Sequence, residues 1–360
     1  MQEFIQTYSK ESLLLVFTIT FITTYLIIPF IIKVVNHKHL LDEPNHRSSH
    51  TQLTPTFGGI SFYLSLIMVL LFINSLQESF VTINIVAGLS ILLFTGLKDD
   101  MVVISYKAKL IGQFLASIVF LYNSTFYQIN FHGFLGIGSL GVISGTILSI
   151  LILLTIINAF NLIDGVDGLA GSTGISIFSI FGILFYITGH IYYTFICITL
   201  VGSLLAFLRF NFSSKKKIFM GDTGSLILGF IAGVLTLKFL GLKTETIVDI
   251  NFIPRNVFFV VFAILIFPLF DLFRILMVRI KNKKHPLLAD KNHIHHVLLD
   301  NGNSHLKTSF LISSISLIIS ILMIYLTTII DHTLILSVVF LILYFIFLAF
   351  FFKLATTDKV

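Results

Sequence analysis

Charge is scarce in this chain: 11% of residues are Asp, Glu, Lys or Arg, against 56% hydrophobic. A soluble domain carries about 25% charged residues. The deficit, with a mean hydropathy of +1.00, excludes a soluble fold. Tryptophan is absent, so an interfacial aromatic belt must be drawn from 11 tyrosines and 39 phenylalanines. The single cysteine, Cys197, lies in an apolar run, which rules out an intrachain disulfide and suggests no redox role. A cleavable signal is not expected, because Glu3 and Glu11 precede the first apolar run and that run exceeds the about 7–15 residues of a signal core. No repeat of 20–50 residues stands out, and there is no nucleic-acid motif.

What the chain does have is apolar segments near the about 20 residues needed to span a bilayer. Eleven are expected, at 13–33, 58–76, 80–97, 110–127, 140–159, 172–188, 190–208, 225–240, 255–278, 309–329 and 333–352. The third and eighth are short, and only Gly189-His190 divides the sixth from the seventh. Residues 128–141, with three glycines and alternating apolar positions, suggest a small surface hairpin. Orientation follows from Lys and Arg placement. An outside N-terminus leaves only Lys10, Lys238, Lys243 and Arg255 on that face, and the other 19 of 23 basic residues fall on or beside cytoplasmic loops and the tail. The expectation is an all-α, multi-pass integral membrane protein, a single domain over 1–360. It has eleven transmembrane helices, an outside N-terminus, a cytoplasmic C-terminus and a cytoplasmic site.

Five polar motifs fall on that face. Asp99-Asp100 places two carboxylates side by side at a membrane boundary, where their repulsion calls for a cation or for the nearby lysines; the structural alternative is a solvated pair capping the next helix. Residues 158–171 carry Asn158, Asn161, Asp164 and Asp167 at every third position among glycines, which fits a broken or partly 3₁₀ helix end whose N–H groups approach phosphate. Met220-Gly221-Asp222-Thr223-Gly224-Ser225 follows Lys215-Lys216-Lys217. Asp222 alone is best read as a helix N-cap, with a magnesium ligand as the alternative. The lysine run reads by default as an anchor to anionic lipid. His293-Ile294-His295-His296 is a poor tetrahedral zinc set and suits phosphate or sugar hydroxyls better. The first loop, with Arg47 and His50 ahead of TPTFGG at 54–59, suits a shaped binding loop or a plain connector. Together these motifs bring five carboxylates, amides, lysines and histidines to one face, as magnesium-dependent phosphoryl chemistry on an anionic lipid requires.

At this point the sequence resembles the polyprenyl-phosphate N-acetylhexosamine-1-phosphate transferases, most closely the bacterial branch that initiates O-antigen, common-antigen and wall teichoic acid synthesis. The resemblance covers essentially the whole chain. It rests on TPTFGG, on Asp99-Asp100 with Lys109, on NLIDGVDGLAG at 161–171, on MGDTGS at 220–225 and on HIHH at 293–296. The last differs from the segment of the related phospho-muramoyl-pentapeptide transferase, the nearest alternative enzyme. The resemblance implies transfer of N-acetylhexosamine 1-phosphate, with GlcNAc first in line, from a UDP-sugar to undecaprenyl phosphate with release of UMP. It implies a bacterial inner membrane, magnesium as cofactor with manganese as substitute, contact with membrane lipids, and a homodimer as one open assembly. It also implies Asp99, Asp100 and Lys109 as catalytic, Asn161 and Asp222 as metal-associated, and Arg47, His50, Asp164, Asp167, His293, His295 and His296 as substrate-binding. Val297 and Lys291 depart from the arginines common there, which bears on the sugar. A transporter is the rival from another class. It is disfavoured because mid-depth charge is confined to Asp271 and Arg274, near the inner end of the ninth span.

Overall fold

The computed structural model describes residues 9–38, 41–42, 54–73, 76, 79–126, 128–281, 298–299 and 302–356. A chain in hydrocarbon must satisfy its backbone groups internally, and helices do so within one segment. The described helices are α1 (Ser9–His37), α2 (Gly59–Ile73), α3 (Ser79–Met101), α4 (Tyr106–Leu121), α5 (Val142–Ile163), α6 (Leu169–Ile187) and α7 (Ile191–Asn211). They continue as α8 (Gly221–Leu240), α9 (Thr244–Asp249), α10 (Val257–Ile264), α11 (Ile266–Lys281), α12 (His305–Ile329) and α13 (Thr333–Thr356). Among the described residues the only strands are β1 (Leu41–Asp42) and β2 (Thr54–Pro55), antiparallel with Leu41 opposite Pro55.

Each of the eleven expected segments falls on a helix or a helix pair. Among the described residues seven helices are long and apolar enough to cross a membrane, and α10 with α11 makes an eighth if the bent pair is one span; α2 and α4 have only 15 and 16 residues. The all-α membrane architecture therefore stands, whereas the described helices support seven or eight crossings and leave the expected eleven unsupported. The third and eighth segments, expected to be short, are full helices. Their polar site ends, through Asp100 and from Gly221, interrupt the apolar run without ending the helix.

The ninth segment is not one straight span. α10 and α11 meet at Leu265 with a bend of 76°. Pro268 is the cause we assign: it has no N–H for the Ile264 carbonyl, and its ring clashes with that group. Residues 158–171 are broken as expected, but without a 3₁₀ element: α5 runs α-helical to Ile163, and a turn over 164–168 leads into α6. The hairpin at 128–141 is present, with Asn130 bridging Ser139 and the Phe131 N–H donating to Gly138 at 2.9 Å.

α8 is the axis of the bundle: 94% of its apolar window is buried, against 28% for α1, and it packs on α2, α3 and α5. Close approach comes from small residues, as is usual between membrane helices. A Cβ at Gly59 would sit 2.2 Å from the Gly224 nitrogen, and one at Gly96 would sit 2.4 Å from the Thr223 Cα. The obstacle is backbone in both cases and cannot turn aside. TPTFGG straps the end of the first loop to the start of α8; the stretch of that loop with Arg47 and His50 lies outside the described residues. Phe219 N–H donates to the Pro55 carbonyl at 2.8 Å, and Gly58 and Gly59 N–H donate to Phe219 and Met220 at 3.0 Å each.

Gly96→Ala is expected to cost about 1–3 kcal/mol by overpacking, read as a lower melting temperature in detergent. Gly138→Ala, with nothing within 4 Å of the added Cβ, should leave the melting temperature within error.

Candidate active site

The carboxylates converge where α3 ends, α4 and α8 begin, and α5 stops. Asp99, in the last turn of α3, accepts the Ile104 N–H at 2.9 Å and so folds the chain back towards α4. Ser105 caps α4 by accepting from the Ala108 N–H. That cap sets Lys109 one turn in, where its Nζ lies 3.0 Å from Asp99 Oδ2 and 2.5 Å from Asp222 Oδ1. One ammonium thus joins three helices.

Asp222 is not the cap of α8. The N-cap position is Met220, which offers no side-chain bond, and the Asp222 side chain turns to Lys109 and to the amide of Asn161, which also donates to Ser225 Oγ at 2.9 Å. The cap comes from α3. Asp100 Oδ1 accepts the Asp222 N–H at 2.7 Å, and its Oδ2 accepts the Thr223 N–H at 3.1 Å and the Thr223 hydroxyl at 2.6 Å. Gly221 makes room for it: its φ is +72°, and a Cβ there would lie 2.7 Å from Asp100 Oδ1. The expectation that Asp222 caps fails because a helix start inside protein is open to donors and acceptors from other helices.

Asp164 closes α5 at its C-terminal end. Burial first, and then the charges of Asp222, Asp100 and Asp167, push its carboxyl well above the usual carboxylate range. Asp167 behaves oppositely. Burial alone would raise it, but His305, at 3.2 Å, and Lys217, at 2.6 Å, outweigh that and hold it below the usual range. Its carbonyl accepts from Ser309 Oγ at 2.6 Å, which ties the turn to α12.

Asp99, Asp100, Lys109, Asn161, Asp164 and Asp222 are therefore gathered, with Asp167 on the adjoining turn. Arg47, His50, His293, His295 and His296 lie outside the described residues. Several partners were missed. Asn211, buried at the end of α7, accepts the Gly168 N–H at 2.5 Å and donates to the Ile218 carbonyl at 2.8 Å, so it clamps the Asp167 turn to the lysine loop. Gln113, also missed, exchanges amide bonds of 2.8 and 3.3 Å between α4 and α5 with Asn158, which belongs to the 158–171 motif, one turn from Lys109 and Asn161. A polar amide inside an apolar run was the available signal for both, since such a group demands a partner.

The ammonium of Lys109 contacts Asp99 and Asp222 and acts on Asp164 without a direct contact, while Asp100 is bound to the start of α8. These hard oxygen donors with excess negative charge suit a divalent cation. Among the described residues no three His, Cys, Asp or Glu side chains stand in a metal-holding arrangement, since Asp100 is committed to α8 and Asp222 Oδ1 to Lys109 and Asn161.

A model of glycosyl transferase family 4 matches residues 82–240, a stretch that runs from Asp99 through Asp222. The probable undecaprenyl-phosphate N-acetylglucosaminyl 1-phosphate transferase of Bacillus subtilis (strain 168) is 30% identical over 310 residues, 85% of this chain and 82% of that protein. The decaprenyl-phosphate N-acetylglucosaminephosphotransferase of Mycolicibacterium smegmatis is 29% identical, covering 75% of this chain and 71% of that one. The undecaprenyl-phosphate alpha-N-acetylglucosaminyl 1-phosphate transferase of Escherichia coli (strain K12) is 27% identical, covering 78% and 75%. These relatives share one class, the transferases of sugar phosphates. The chain belongs to glycosyl transferase family 4 and is an enzyme of that class.

The depressed Asp167 carboxyl contributes stability that is present above its unfolded pKa of about 3.9 and is lost as the pH falls through the lower folded value. Asp167→Asn is expected to cost about 1–3 kcal/mol at pH 7, measured by thermal melting. The gap to wild type should stay constant down to about pH 4 and narrow below it; a gap that widened in acid would contradict the pairing.

Proposed function

We propose that this enzyme transfers N-acetylglucosamine 1-phosphate from UDP-N-acetylglucosamine to undecaprenyl phosphate, releasing UMP, as the first step of a cell-surface glycan. The carrying observation is the cluster of Asp99, Lys109, Asn161, Asp164 and Asp222 at one end of a membrane bundle in a chain whose relatives act on polyprenyl phosphates. The whole chain serves as one domain in the bacterial cytoplasmic membrane. With the N-terminus outside and the short helices counted as crossings, the cluster faces the cytoplasm, where a nucleotide donor is found.

A lipid phosphate oxyanion is already a nucleophile at neutral pH. Its oxygen attacks the β-phosphorus of the donor, a new P–O bond forms, and the bond to the α-phosphate oxygen breaks with its electron pair leaving on UMP. No proton need be removed and no covalent enzyme intermediate is required. Asp222 and Asn161, with Asp164 beside them, would hold magnesium, which would neutralise charge on the diphosphate and its leaving group. Lys109 holds Asp99 and Asp222 in register and lends positive charge near the transferring phosphate. Asp100 positions Asp222 through the first turn of α8. Asp164 and Asp167, with Arg47, His50, His293, His295 and His296, are assigned to the nucleotide sugar.

Purified protein with undecaprenyl phosphate, magnesium and a panel of UDP-N-acetylhexosamines should release UMP with the GlcNAc donor, and release should stop on chelation. Asp222→Asn is expected to lower kcat by about 10²–10⁴-fold. Folded protein that released no UMP with any donor would overturn the reading. A phospho-enzyme trapped with UDP-sugar alone would replace the single displacement by a double one.

A further inference from the structure

At the end of the bundle that carries the carboxylates, a polar cavity of about 460 Å³ lies between α1 and the end of α7. Its polar lining is Tyr25, Arg209, Ser213, Ser214, Lys215 and Lys216. Several cations elsewhere are paired, among them Lys109 with Asp99 and Asp222, Lys217 with Asp167, Arg255 with Asp331 and Arg274 with Asp271. Around this cavity they are not. Among the described residues no carboxylate lies within 4.0 Å of Arg209, Lys215 or Lys216. Three neighbouring positive charges without counter-ions repel one another and favour an anion between them.

The loop is shaped for this. Ser213 Oγ accepts the N–H groups of Lys215 and Lys216 at 3.3 and 3.1 Å, which turns the chain tightly after α7. The lysine run is thereby divided: Lys217 reaches the carboxylate side at 2.6 Å from Asp167, while its two neighbours line the cavity. On the other wall Tyr25 is 44% exposed, with its ring 5.2 Å from that of Phe210. A partly exposed tyrosine on an exposed apolar helix offers a lipid both a ring face and a hydroxyl. We propose that this cavity is a binding site, separate from the carboxylate site, for the phosphate of an anionic membrane lipid. The phosphate would sit among Arg209, Lys215, Lys216 and the serine hydroxyls, with the acyl chains descending past Tyr25 along α1. Basic recesses between membrane helices take such headgroups.

The test is native mass spectrometry of the full chain in neutral detergent, titrated with phosphatidylglycerol or phosphatidylcholine, with inorganic phosphate as soluble competitor. Wild type should take up phosphatidylglycerol saturably and ignore phosphatidylcholine. The triple variant Arg209→Gln/Lys215→Gln/Lys216→Gln should bind it on the order of 100-fold more weakly, at about fivefold per cation. A control with the same charge removed at exposed lysines on this end, Lys33→Gln/Lys98→Gln/Lys107→Gln, should bind as wild type does. Tyr25→Ala keeps the charges and should weaken binding severalfold, which covers a triple variant that fails to fold. Displacement by millimolar phosphate would identify phosphate as the recognised group whatever carries it; resistance to it would identify the lipid as the ligand. Equal losses in the two triple variants, or no saturable uptake by wild type, would overturn the proposal.

Discussion

At the first turn of α8, the most buried helix of the bundle, the Asp100 carboxylate accepts the otherwise unpaired N–H groups of Asp222 and Thr223. Without that contact the most buried helix of the bundle would begin with orphaned donors in a medium where each costs several kcal/mol. The same contact decides where Asp222 points. Because its N–H is taken by Asp100, its carboxylate is left to Lys109 and Asn161. The glycines around this turn follow from the same requirement, since Asp100 reaches the α8 backbone only if nothing projects from Gly221 and if α3 can press against Thr223 at Gly96.

Charge is the second constraint. An ammonium shared by Asp99 and Asp222 relieves part of the repulsion, and burial, with the charges that remain nearby, raises the carboxyl of Asp164. Asp167 is differently placed: it has cations of its own in Lys217 and His305. Two carboxylates three residues apart on one turn thus sit in opposite electrostatic settings, and a reaction that moves anionic groups past them meets one acceptor of positive charge and one ion pair already formed.

Much of this was legible in the sequence because the bilayer makes composition informative. Every expected apolar segment falls on a helix, the hairpin at 128–141 is where alternation and glycine put it, and the aspartates singled out for chemistry meet. What could not be read was which carboxylate serves which helix. Asp222 has the local pattern of a cap, yet Asp100, 122 residues away in sequence, supplies it, and no local rule reaches that far. The Asn211 clamp and the Gln113–Asn158 exchange are likewise tertiary; a lone amide announces that it needs a partner but not which one. The bend at Leu265 is a different kind of omission. Pro268 stood in plain view inside an apolar run, and hydropathy, which counts polarity and not backbone donors, is blind to it.

The hairpin at 128–141 acquires a mechanical meaning from its place. It grips the far end of α8 through the Asn130 N–H and the Leu240 carbonyl, at 3.2 Å, while Asp100 grips the near end. A rod fastened at both tips and jacketed along its length is held against sliding and turning. The spacing between Asp222 on that rod and Asp99 and Asp164 on its neighbours is thus fixed when the chain folds, so little reorganisation remains to be done when substrates arrive.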